Sequence, residues 1–138
     1  MKGHCLCGAV TITVPDISEV AACHCATCRR WGGGPLFTLD HDGKLEIEGE
    51  DSIAEYQSSD WAERAFCKIC GSHLYYHLKF HDHFALSAGL FQDAKLTKLS
   101  QQIFIDEKPA YYDLANDTPM LTGEEAFAAF EAANGESD

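Results

Sequence analysis

A mainly β fold of short strands with one helix near the C-terminus is what this sequence predicts, and three observations predict it. Short runs that alternate apolar and polar residues, bounded by Gly, Pro, Asp and Ser, recur from residue 9 to residue 107. Only one stretch, close to the C-terminus, combines helical periodicity with a helix-start signal. The seven cysteines fall in three tight clusters, a pattern suited to stapling a small β protein with metal. A chain of 138 residues with 46 % apolar content fits a single domain, 1–138, around one core.

The elements follow in order. "AVTITVP" (9–15) is β-branched and alternating, and Pro15 stops it. "EVAACHC" (19–25) is extended and leads into a cysteine cluster, after which a short helical turn is expected. "GPLFTLD" (34–40) is a strand, and "HDG" (41–43) supplies a turn. In "KLEIEGE" (44–50) Leu45 and Ile47 face inward, and "SIAEYQS" (52–58) and "ERAFC" (63–67) continue in the same style. "HLYYHLKF" (73–80) and "HFALSAG" (83–89) form a hairpin around Asp82. Alternation places His73, Tyr75 and His77 on one polar face, open to solvent or lining a pocket, and sends Leu74, Tyr76 and Leu78 to the core. His81 and His83 flank the turn as surface residues, and Trp31 and Trp61 belong to the core, to a pocket wall or to an exposed patch. "QQIFIDE" (101–107) is a late strand ended before Pro109. In "TGEEAFAAFEAANG", Thr122 and Glu125 form a capping-box pair, Ala126, Phe127, Phe130 and Ala133 share a face, and Gly135 ends the helix.

Charge narrows the partners. The formal net charge is −12, the opposite of what a nucleic-acid backbone attracts. Arg29 and Arg30 are a local basic pair, fitted to a small anion or simply solvated. No run reaches the roughly 18 apolar residues that cross a bilayer, and "MKGHCLCGAV" lacks the pattern of a secretory leader. The expected compartment is the cytoplasm, where clustered cysteines bind metal more often than they form disulfides.

The cysteine spacings divide into four and three. Cys67 and Cys70, followed by Gly71, form a knuckle whose tight turn aims both sulfurs at one point. Cys5 and Cys7, followed by Gly8, share a side if the segment is extended, so the two pairs together make a four-cysteine zinc site. The other reading is a set of buried thiols. Cys23, Cys25 and Cys28 remain. Three ligands leave a position on zinc for water or substrate, as catalytic zinc sites do. His24 or a distant carboxylate would instead close a second structural site, and redox thiols without metal are a third reading. Iron–sulfur clusters usually take four cysteines each, so zinc fits the division better.

"GHCLCGAV", "CHCATCRRWGG" and "FCKICGSHLYY", in this order and spacing, resemble the glutathione-dependent formaldehyde-activating enzyme family, to which centromere protein V is related. "LSAGLFQDAKL" and "IFIDEKPAYYDL" resemble its later segments, so the likeness runs from about residue 2 to about residue 130. The resemblance implies an Mss4-like β-tent of short antiparallel strands. It also implies a structural zinc on Cys5, Cys7, Cys67 and Cys70, and a second, catalytic zinc on Cys23, Cys25 and Cys28. The implied activity is carbon–sulfur lyase chemistry on the adduct of a small thiol such as glutathione with a small aldehyde. Arg29 or Arg30 would hold a substrate carboxylate and His24 would carry a proton. The competing class is a zinc-stabilised binding module of the same fold.

Overall fold

The computed structural model describes residues 1–134; the expected helix end at Gly135 lies outside them. The first strands are β1 (Lys2–His4), β2 (Thr11–Thr13), β3 (Glu19–Cys23), β4 (Leu36–Asp42), β5 (Glu46–Glu48) and β6 (Ile53–Gln57). β7 (Ala62–Cys67), β8 (His73–Leu78), β9 (His83–Ser87), β10 (Lys98–Ile103) and β11 (Met120–Leu121) follow. The helices are α1 (Ala26–Gly32) and α2 (Gly123–Asn134). The chain is therefore mainly β with a C-terminal helix. It divides into two compact units, Met1–Ser18 with Thr38–Thr97, and Glu19–Phe37 with Lys98 onward.

In the first unit β1, β2 and β5 form an antiparallel sheet in which Gly3 pairs with Ile12 and Ile12 with Ile47. β1 is too short and too polar to announce itself; its pairing with β2 makes it a strand. A Cβ on Gly3 would lie 2.8 Å from the Phe91 ring, so glycine there lets the ring close onto the backbone. A second ladder runs β4-β9-β8-β7-β6, antiparallel throughout, with Thr38–Asp42 as the paired residues of β4. Leu39, Leu74 and Leu86 are fully buried in it, each stabilising the fold by about 1.5–3 kcal/mol. The hairpin around Asp82 forms as expected: Leu78 pairs with His83, and Asp82 takes a left-handed φ of 48°.

Side-chain environments along β8 differ from the alternation. Tyr75 is only 6 % exposed. Its ring stands edge-on to Phe84 at 5.2 Å, while His77 stacks on Phe84 at 4.1 Å. The cross-strand partners supply the cover, Leu86 opposite Tyr75 and Phe84 opposite His77, so the expected polar row is a packed face. Burial pushes the Tyr75 phenol up to about 12. Tyr76, expected in the core, is half-buried beneath the Arg64 guanidinium, 5.2 Å from its ring centroid. Trp61 is 47 % exposed rather than buried, and Trp31 is half-buried.

In the second unit the ladders are parallel: β10 pairs with β3 on one side and β11 on the other. The antiparallel expectation therefore holds in the first unit and not here. The late strand also lies earlier than 101–107. It ends at Ile103, because Phe104 turns left-handed (φ 56°) into a 3₁₀ turn at Ile105–Glu107. The Phe104 ring holds that turn by packing edge-on against Phe127 and beside Gly123. The capping box forms as expected: Thr122 N–H donates to Glu125 Oε1 at 2.9 Å, and Glu125 N–H to Thr122 Oγ1 at 3.1 Å. Asp106 Oδ1 accepts from Gly123 N–H and ties α2 to the 3₁₀ turn.

Candidate metal centres

The first cluster lies wholly within the first unit. β1 ends just before Cys5, and the Gly8 N–H donates to Cys5 O at 3.1 Å, closing a turn over Leu6 and Cys7. β7 ends at Cys67, and the Gly71 N–H donates to Cys67 O at 2.8 Å, closing a matching turn. Both glycines have positive φ, 80° and 77°, as a turn of this hand requires. The C-x-C segment is thus a turn rather than extended chain; both conformations bring its two sulfurs to one side. Ser72 ties the turns together, accepting from Leu6 N–H at 3.0 Å and standing 3.2 Å from Cys70 Sγ.

The sulfurs of Cys5, Cys7, Cys67 and Cys70 all lie within 4.8 Å of one another. Cys5 and Cys7 are 3.6 Å apart, and Cys7 and Cys67 3.8 Å. Four sulfurs about 2.3 Å from one tetrahedral ion would stand about 3.8 Å apart, so the donor set fits such an ion. The thiols are also electrostatically unequal. The Ser72 hydroxyl and N–H bring Cys70 down to about 5. The Ala9 N–H draws Cys7 down, but partial burial and the three other thiols outweigh it and push Cys7 up to about 11. Without a cation, the sulfurs cannot all ionise together.

The second cluster lies wholly within the second unit. Cys23 ends β3, Cys25 is the N-cap of α1, and Cys28 sits in its first turn, with the Cys28 N–H donating to Cys25 Sγ at 3.3 Å. Strand end, cap and first turn bring the three sulfurs within 4.8 Å of one another, and no imidazole or carboxylate among the described residues joins the group. Hydrogen bonding to Cys25 and Cys28 and their like charge push the Cys23 thiol far above its ordinary value. Three sulfurs this close, with Cys23 raised by its two neighbours, again suit a cation. The group offers three sulfur donors and no other.

His24 closes no metal site. It is fully buried, with Nδ1 2.7 Å from the Tyr112 hydroxyl and Nε2 2.8 Å from Gln102 Oε1, so both ring nitrogens are engaged. Arg29 is half-buried and donates from Nε to His24 O at 3.0 Å and from Nη2 to Glu107 O at 3.1 Å. Arg30 is exposed. Glu107 Oε1 accepts from Ala26 N–H at 3.0 Å and serves α1 as a second cap. Lys108 binds the carbonyls of Pro109 and Tyr112, and its ammonium lies 5.1 Å from the Tyr112 ring centroid. Gln102, Glu107, Lys108 and Tyr112 were not singled out in the sequence. Nothing in the strand KLSQQI sets Gln102 apart from Ser100 and Gln101 beside it, and no local signal marks the other three.

The fold and the two thiol clusters define a mainly β protein with one four-cysteine and one three-cysteine centre. The model of the glutathione-dependent formaldehyde-activating enzyme family matches residues 1–107, and the chain belongs to that family. It is 34 % identical over 126 residues to an uncharacterized lyase of Schizosaccharomyces pombe, covering 90 % of this chain and 92 % of that protein. Among solved structures, that of a Rhodobacter sphaeroides protein is similar, with a TM-score of 0.58 and 25 % identity. It covers 68 % of this chain and 90 % of its own. No helix among the described residues is long and apolar enough to cross a membrane.

Proposed function

We propose that the chain is a zinc-dependent carbon–sulfur lyase acting on the adduct of a small aldehyde with a small thiol such as glutathione, in the cytoplasm. The observation that carries this reading is the difference between the clusters: four sulfurs converge in one and only three in the other. Cys5, Cys7, Cys67 and Cys70 hold a structural zinc, and Cys23, Cys25 and Cys28 a second one. Zinc bound at the second site would supply the positive charge that keeps a substrate sulfur ionised.

The reaction balances simply. In the breaking direction the C–S bond of the adduct cleaves and its electron pair leaves with the sulfur as thiolate. The hydroxyl proton departs, and the carbon becomes the aldehyde carbonyl; the forming direction is the reverse. That proton goes to bulk water, because His24 is fully buried with both nitrogens engaged. Arg30, exposed on α1 two residues after Cys28, would hold a substrate carboxylate. Arg29 fixes the cysteine loop to Glu107.

The test begins with zinc per chain, by elemental mass spectrometry on protein prepared with a reductant and no chelator. About two ions are expected, one on four thiolates and one on three thiolates with its fourth position open to water or substrate. Cys25→Ser should then retain the first ion, lose the second and lose thiol-dependent formaldehyde turnover. Full turnover in Cys25→Ser overturns the reading. A second reading, a zinc-stapled binding module, draws on Leu6 and Ile69, both exposed at the tips of the cysteine turns. It predicts no turnover, and binding that is lost when both are made polar.

A further inference from the structure

Among the described residues, the ring of His24 is a fully buried titratable side chain beside the three-cysteine cluster that the chemistry above leaves without a task. Its surroundings set the direction of its hydrogen bond to Gln102. Thr118 donates its only hydroxyl proton to Pro119 O at 3.0 Å, so it accepts from the Gln102 amide at 3.1 Å. The Gln102 carbonyl oxygen must then face His24, accepting from its Nε2–H across 2.8 Å. Nδ1 is hydrogen-bonded to the Tyr112 hydroxyl at 2.7 Å. The backbone of the residue is pinned as well: its N–H donates to Ile103 O at 3.1 Å, and its carbonyl accepts from Arg29 Nε at 3.0 Å. All four polar groups of residue 24 are committed, in a side chain with no solvent exposure and against a Gln102 that is 1 % exposed.

His24 is also the residue between Cys23 and Cys25. Holding its ring and both its peptide groups leaves those two neighbours little freedom. Cys28 follows through α1, whose first turn is closed by Cys25 Sγ and Glu107 Oε1. Resting on the reading of this cluster as a metal site, we propose that Gln102 and Tyr112 are its positioning residues. Acting through His24, they hold Cys23, Cys25 and Cys28 at metal-binding spacing before the metal arrives. Both lie far from the cysteines in sequence, and neither offers the metal a ligand. Outer groups that fix the ligand-bearing elements are typically worth roughly 10- to 100-fold in metal affinity.

The experiment is a competitive chelator titration with zinc, paired with cobalt(II) substitution and its thiolate charge-transfer spectrum. It compares the wild type with Tyr112→Phe and Gln102→Met. Tyr112→Phe removes one hydroxyl from a half-buried ring; Gln102→Met keeps the bulk and removes the acceptor. The expected result is a second binding event weakened roughly 10- to 100-fold with a shifted cobalt spectrum, and a first event unchanged. A merely structural role would weaken both events together, and that outcome overturns the proposal. Two metals in the wild type with an unchanged second event in both variants overturns it alone. A wild type that binds one metal only overturns it together with the two-site reading.

Discussion

Gly71→Ala isolates the backbone conformation that aims Cys67 and Cys70 at a common point. The site offers room: nothing lies within 4 Å of a Cβ built there. No steric clash contributes, and the cost is torsional. At φ 77° an alanine should lose about 1–2 kcal/mol relative to glycine. If the chain keeps the turn, that cost appears as lost stability of the metal-loaded protein. If it relaxes the turn, the sulfurs diverge and the same energy appears as roughly 5- to 30-fold weaker binding at the four-cysteine site. Thermal melting of loaded protein and a zinc–chelator competition together capture either form. Gly89→Ala is the control, since that position also has nothing within 4 Å and has no positive φ. Wild-type affinity and wild-type melting in Gly71→Ala would refute the claim that this turn needs a left-handed residue to assemble the site.

Other expectations follow from the packing and the charges. Leu74→Ala, at a fully buried position, should cost about 2–5 kcal/mol, read as a fall in denaturant midpoint. Trp61→Ser, at a position 47 % exposed, should stay within about 0.5 kcal/mol. Thr122→Ala breaks the reciprocal cap with Glu125 and should cost about 1 kcal/mol, together with part of the helical circular-dichroism signal. His83 is held protonated by Asp40 first and Asp42 second, against the effect of its own burial, so its pKa is raised. A raised folded value means the stabilisation is fully present below the ordinary histidine value of about 6.5 and is lost as pH rises through the folded value. Asp42→Asn should therefore lower the melting temperature at about pH 5.5 and leave it nearly unchanged at about pH 8.5, by no more than about 1 kcal/mol for so exposed a carboxylate. A gap that widened with pH would reverse the assigned sign.

What could be read from the sequence is what depends on neighbours within a few residues. The tight spacing within each cysteine pair or triplet, the Thr122–Glu125 cap and the hairpin around Asp82 are all local, and all are present; joining Cys5 and Cys7 to Cys67 and Cys70 came instead from the ligand count a metal needs. The C-x-C segment shows how local reasoning reaches a right placement by a wrong route: a turn and an extended chain both put Cys5 and Cys7 on one side. Long-range partners were out of reach. Tyr75 was assigned by alternation to an open polar face, but the cover comes from Phe84 and Leu86 on the next strand. The parallel pairing of β3 with β10 joins segments that nothing in either run links. His24 shows the gap most sharply. Read beside cysteines it looks like a ligand or a proton carrier, yet Tyr112 and Gln102, 88 and 78 residues away, occupy both its nitrogens.

The two clusters differ in what surrounds their sulfurs, and that difference supports a division of labour. In the four-cysteine cluster the protein supplies its own polar partners. The Val10 N–H lies 3.4 Å from Cys5 Sγ, and the Ser72 hydroxyl 3.2 Å from Cys70 Sγ. Those donors stabilise negative sulfur before any cation arrives, which is why Cys70 is pulled down to about 5 even while Cys7 is pushed up to about 11. In the three-cysteine cluster the Cys28 N–H serves Cys25, and Cys23 faces two like-charged neighbours that raise it strongly. A cation there relieves more repulsion but meets fewer ligands, on a chain that already carries a net charge of −12. With three thiolates around a divalent ion one negative charge remains, and the exposed guanidinium of Arg30 stands on the helix that carries Cys28. The first arrangement suits permanent retention. On the function proposed above, the second would admit a fourth, exogenous sulfur, and Arg30 would offset its anionic groups.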